Sequence, residues 1–217
     1  MRTGWLPRSL DIWVSSVGLL VVAPVLLAAA VAIWIEDGLP IFYRQPRVGR
    51  GGIRFVLFKL RSMFTGLGGP AITSSCDSRV TSVGRWLRKY KLDELPQLWN
   101  VLKGDMSMVG PRPEVPCYVD TDAPEWREVL SCRPGITDLA TLVYRNEEDL
   151  LGSSQNPEKF YREQVLPHKL QLNLEFLRSR TYWLDLKLIF FTARDSFWPP
   201  GFDAAKVKRS LLYKDPI

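Results

Sequence analysis

Ile12 to Ile35 run for 24 consecutive residues near the N-terminus without a charged side chain. A stretch of that length reaches across the hydrocarbon core of a bilayer as a helix, whereas the buried helix of a small soluble domain is usually shorter. Trp13 and Trp34 stand near its ends, where indole rings favour the boundary between lipid and water. Ala28, Ala29 and Ala30 offer the small residues a signal peptidase cuts after. The apolar run is too long for a signal peptide and continues past them through Val31, Ile33, Trp34 and Ile35, so the segment is expected to be retained.

The flanks bear on how this segment sits. Arg2 and Arg8 precede it, and Arg44, Arg47, Arg50 and Arg54 follow it. Basic residues collect on the cytoplasmic side of a membrane, so the charges ask for both flanks in the cytoplasm. Pro24 lies at the midpoint, where the loss of one main-chain hydrogen bond favours a bend. Two half-helices of about 12 residues, roughly 18 Å each, reach into one leaflet and return. A kinked helix that crosses is the alternative. The division expected is a membrane-embedded segment over 1–38 and a cytosolic unit over 39–217.

Composition narrows the partners. Lys and Arg total 29 against 23 Asp and Glu, a formal charge of +6. That balance suits an anion: nucleic acid, phospholipid or a phosphorylated substrate. Eight Trp also suit sites with one apolar and one wet side. Cys76, Cys117 and Cys132 are odd in number and lack metal-ligand spacing, which argues against a disulfide framework and for a reducing compartment. His168 is the single histidine, so His-rich zinc sites are excluded and a Ser-His-Asp triad is disfavoured. Following Pro167, it reads as a surface residue. The sequence has neither a GxGxxG nor a GxxxxGK[ST] motif, which removes support for a dinucleotide fold or a P-loop.

Periodicity places the rest. Pro40 to Gln45 and Ile53 to Leu60 read as the strands of a hairpin around an Arg47-to-Gly52 turn. Lys59 and Arg61 share one face of the second strand, either as a grip on an anion or as a solvated edge. Residues 65–76 read as a loop. A helix is expected over about 79–90, capped by Asp77 or Ser78. Val83, Trp86, Leu87 and Tyr90 form its apolar face, with Arg85, Arg88 and Lys89 opposite. Leu95, Leu98, Trp99 and Leu102 mark another helix, ended by Gly104. Asp93 and Glu94 precede it, a position the helix dipole alone explains. Pro111 and Pro113 fix the backbone around Arg112, which suits a guanidinium set for a phosphate. Helices are expected over about 158–166, 168–179 and 182–195. In the last of these Asp185 needs a cationic partner if it is buried.

The stretch from Lys91 to Pro113, KLDELPQLWNVLKGDMSMVGPRP, closely resembles the signature of the bacterial sugar transferases, the monotopic phosphoglycosyl transferases that begin glycan assembly on a lipid carrier. The likeness continues through the apolar segment, Arg47-Val48-Gly49, Phe58 to Met63, Gly84 to Lys89, Pro134 to Thr137 and Leu184 to Lys187, and so covers roughly residues 8 to 195. It implies an α/β fold: a re-entrant membrane helix, then a small α-rich domain with a short β-hairpin and interfacial amphipathic helices on the cytoplasmic face of the bacterial inner membrane. It implies a two-step, Mg²⁺-dependent transfer of a phospho-sugar from a UDP-sugar to polyprenol phosphate, such as undecaprenyl phosphate, with release of UMP. The membrane is then the surface bound, and nucleic acid is not a partner. By the same resemblance Asp93 is the nucleophile and a metal ligand, and Glu94 its acidic partner. Lys59, Arg88, Pro111, Arg112, Pro113 and Asp185 match positions that line or support the site. Two departures stand out. Ala23-Pro24 replaces the family's frequent Ser-Pro, and Asp138-Leu139-Ala140-Thr141 replaces its usual Gly-Leu-Ala-Gln; the second bears on the choice of sugar. Rival readings are a membrane-anchored binding protein without catalysis and a glycosyl transferase that leaves UDP.

Overall fold

The computed structural model describes residues 6–67, 69, 72–74 and 77–197. Arg2, Cys76 and parts of the 65–76 loop lie outside the described residues. The apolar run forms one helix, α1 (Arg8–Asp37), which continues through Pro24. Most of its large side chains are exposed, Leu20 and Ile35 among them.

Both ends of α1 are tied to the same domain. At the start, Arg8 donates to the carbonyls of Leu102 and Met106. Asp11 accepts from the Ser107 hydroxyl at 3.0 Å and the Met108 N–H at 2.9 Å. At the end, Glu36 accepts the N–H groups of Ser82 and Val83, and Arg61 binds Asp37 and the Gly38 carbonyl. Arg61 is therefore not a solvated edge; it fastens the end of α1.

The chain then makes an antiparallel hairpin, β1 (Phe42–Val48) and β2 (Arg54–Leu60). Its first strand runs three residues beyond the expected end, because Pro46, Arg47 and Val48 pair with Val56, Phe55 and Arg54. Next come α2 (Ser82–Lys89), a 3₁₀ turn (Leu92–Glu94) and α3 (Gln97–Lys103). The cap of α2 is Thr81, not Asp77 or Ser78. After a turn closed from the Val80 N–H to the Asp77 carbonyl, Val80 bridges Met63 and the Thr81 N–H donates to the Ser62 carbonyl, so the helix starts only after residue 81.

The following strands, β3 (Ser107–Val109) and β4 (Gly135–Thr137), are parallel neighbours. Three short helices were not legible in the periodicity: α4 (Pro124–Val129), α5 (Leu139–Val143) and α6 (Glu147–Gly152). The first two C-terminal helices expected separately are one continuous run: α7 (Pro157–Phe160), a π-turn (Tyr161–Val165) and α8 (Leu166–Ser179). The wider turn before Pro167 accommodates a residue that lacks an N–H, so the helix is not broken there. α9 (Tyr182–Phe197) completes the described chain. The fold is thus a long apolar N-terminal helix on a mixed, mainly helical domain with two small two-stranded sheets. Its main core joins Trp126, Val129, Leu139, Leu172, Phe176 and Leu188.

Candidate active site

Asp93 and Glu94 lie in the 3₁₀ turn between α2 and α3. Lys91, with φ 55, turns the chain sharply into it. A left-handed non-glycine residue costs free energy and often sits beside functional groups. Asp93 is buried, and its Oδ1 is enclosed with no hydrogen-bond partner among the described residues. Glu94 accepts from Lys59 at 2.9 Å and from Arg112 on the same carboxylate oxygen. Burial alone pushes the Glu94 carboxyl up, but Arg112 and Lys59 outweigh it and hold the group well below the usual carboxylate range. Lys59 moves down from the ordinary lysine value because burial outweighs Glu94. Arg112 moves up: burial opposes the charge, and Glu94 more than offsets it.

Arg88 reaches the same place from α2. Its Nε donates to the Ser62 hydroxyl at 2.9 Å and its Nη1 to Glu148 at 2.8 Å. The periodicity put Arg88 opposite the apolar face, with Arg85 and Lys89, whereas the structure turns it inward. Gly84 packs so closely on Ser62 that an added Cβ would lie 2.1 Å from its carbonyl oxygen. The inner face is therefore Gly84, Leu87 and Arg88, while Trp86 is 55% exposed.

Lys59, Arg88, Asp93, Glu94 and Arg112 line one cavity of 1320 Å³. Val22 and Val25 of α1 line it too, so it reaches the apolar helix on either side of Pro24. Pro111 and Pro113 do not line it; they border a small void behind Arg112. Asp185 is also off this cavity. It is fully buried and paired with Arg180 at 2.9 Å, and it accepts the Leu6 N–H. Arg180 in turn donates to the Val109 carbonyl, so Asp185 supports the loop from behind.

Sequence reading missed a second set of charged residues on the cavity. Lys169 binds Glu114 at 3.2 Å and Glu147 at 3.0 Å, and Arg47 donates to the Pro113 carbonyl at 2.9 Å. Glu114 directly follows the Pro-Arg-Pro loop, which was an available signal. Lys169, in the middle of a helix, had none. His168 is exposed, bonded to Tyr144, and is not on the cavity.

The chain thus sets a buried carboxylate beside a cluster of cations, with a long apolar helix laid against the domain. The profile of the bacterial sugar transferases matches residues 2–198, and the chain belongs to that family. It is 37% identical over 190 residues to a UDP-glucose:undecaprenyl-phosphate glucose-1-phosphate transferase of Caulobacter vibrioides, covering 85% of this chain and 67% of that one. It is likewise 37% identical over 196 residues to an undecaprenyl-phosphate glucose phosphotransferase of Komagataeibacter xylinus, covering 86% of this chain. A UDP-N-acetylgalactosamine-undecaprenyl-phosphate N-acetylgalactosaminephosphotransferase of Aeromonas hydrophila is 33% identical over 195 residues, covering 88% of this chain. The chain spans only 35% and 43% of those last two relatives.

Proposed function

We propose that the chain transfers a sugar-1-phosphate from a UDP-sugar to a polyprenol phosphate and releases UMP, as an early membrane step of surface glycan assembly. One observation carries this reading: Asp93 lies on a cavity rich in cations, and its Oδ1 has no partner among the described residues. A carboxylate used only for structure is normally hydrogen-bonded when buried. In the first step an Asp93 oxygen attacks the β-phosphorus of the donor. A P–O bond forms, the bond from that phosphorus to the bridging oxygen breaks, and UMP leaves with the bridging oxygen. In the second step an oxygen of polyprenol phosphate attacks the same phosphorus, and the Asp93 carboxylate is released. Splitting the transfer lets one side chain serve two substrates in turn.

Lys59, Arg88 and Arg112 would offset the phosphate charge so that a carboxylate can approach. Arg112 offers a planar fork to the diphosphate, and Glu94 holds the Lys59 and Arg112 cations in place until the donor arrives. No group of three His, Cys, Asp or Glu gathers among the described residues. Mg²⁺ is commonly bound by one or two carboxylates with substrate phosphates and water, and the free Asp93 oxygen fits that role. The ion supplies charge neutralisation of the phosphates when bound.

For the membrane, we place α1 as a re-entrant helix in the inner membrane, with the domain on the cytoplasmic face. The ties at Arg8 and Asp11, and at Glu36 and Asp37, support this. A helix whose two ends are both held by one domain leaves both flanks on that domain's side of the membrane, as their basic residues ask. The test is nucleotide release across a panel of UDP-sugars with undecaprenyl phosphate. UMP is expected; UDP would instead mark a plain glycosyl transferase, and no release from any donor would mark a binding protein.

A further inference from the structure

The Asp138-to-Thr141 segment has no part in the chemistry above, yet its first residue sits at a junction. Asp138 is 0% exposed. One carboxylate oxygen accepts the Thr141 N–H at 2.5 Å and caps α5. The other accepts the Arg112 N–H at 2.9 Å. Pro111 and Pro113 have no N–H, so Arg112 carries the only main-chain donor of that tripeptide. Asp138 takes it. The parallel pairing of β3 with β4 makes this possible. Val109 lies opposite Thr137, so the chain leaves both strands at the same end. The Gly110 N–H donates to the Thr137 carbonyl, which joins the two exits, and the Gly135 N–H at the start of β4 donates to the Pro111 carbonyl. Neither Gly110 nor Gly135 has room for a Cβ: one added to Gly110 would lie 2.5 Å from the Arg133 carbonyl oxygen, and one added to Gly135 would lie 2.1 Å from the Gly110 nitrogen.

We propose that Asp138 is a positioning residue for Arg112. Its buried carboxylate sets where the guanidinium stands relative to Glu94, and ties it to the cavity wall formed by Thr141, Leu142 and Arg145 of the α5 region. A buried carboxylate has a high desolvation cost, and burial does push the Asp138 carboxyl up from its ordinary value. A neutral serine would cap α5 as well. The carboxylate is distinguished by having two acceptor oxygens, one for each element. This inference rests on the reading of Arg112 as a phosphate contact.

The test uses the full chain in detergent or vesicles, with kcat/KM read from UMP release. Asp138→Ala removes both bonds. Asp138→Ser keeps the cap and loses the reach to Arg112, so it stays informative if the alanine variant fails to fold. Asp138→Ser is expected to lose up to about 10²-fold, the scale of a small misplacement of a contact group. In an Arg112→Ala background the same change is expected to cost no more than about twofold, because the group it positions is gone. A wild-type-like Asp138→Ser enzyme, or losses that multiply in full, would overturn the proposal alone. An Arg112→Ala enzyme with full kcat/KM would overturn the phosphate role of Arg112, and this proposal with it.

Discussion

At the scale of single residues, the site is two adjacent carboxylates with different surroundings. Asp93 has an oxygen with no partner among the described residues, and Glu94 accepts from Lys59 and Arg112 on one oxygen. If Asp93 is the nucleophile, Asp93→Asn, which keeps the shape, should lower turnover by at least about 10³-fold. Steady-state UMP release checks this, and full activity would end the covalent reading. Arg112→Lys keeps a charge but loses the fork. A loss of at least about tenfold in kcat/KM is expected, whereas an unchanged value would return Arg112 to a structural role. Glu94 gives a pH expectation. Its carboxyl is held below its ordinary 4.5, so its stabilising pairs are complete above that value and are lost only as pH falls through the depressed one. Glu94→Gln should therefore lower the Tm by a constant amount between about pH 7 and pH 5. A difference that shrinks across that window would contradict the assignment.

At the scale of elements, the re-entrant reading of α1 is tested at its two ends. Pro7 precedes α1 and is exposed, and Ile53 in the hairpin turn is 73% exposed. Single cysteines at these sites, in a chain without Cys76, Cys117 and Cys132, should resist a membrane-impermeant thiol reagent in intact cells. Both should react once the inner membrane is opened. Labelling of Pro7→Cys from outside would show that the helix crosses. The elements also show what the sequence exposes and what it hides. Long periodic elements were legible: α1, the hairpin, α3 and α9 stand close to where the patterns put them. Asp93, Glu94 and Arg112 were legible because one contiguous stretch carries them. β3 and β4 were not, since three residues show no period. The inner face of α2 was misread because Gly84 contributes by being small, which no hydrophobic pattern records. Lys169 and Glu147 were missed because their pairing joins helices distant in sequence.

At the scale of the molecule, the cavity joins an apolar helix to a cluster of cations, and so suits a soluble anionic donor and a lipid-borne acceptor at one carboxylate. If Mg²⁺ is shared between Asp93 and the donor phosphates, EDTA should abolish turnover and Mg²⁺ restore it. Undiminished UMP release in EDTA would remove the metal. The most direct test of the central claim leaves the acceptor out. The protein is incubated with a UDP-sugar it turns over, and its intact mass and the released nucleotide are followed together. A gain equal to one phospho-sugar, with one UMP freed per chain and the modification mapped to Asp93, is expected. UMP formed only when polyprenol phosphate is added, with no adduct at any time, would contradict it.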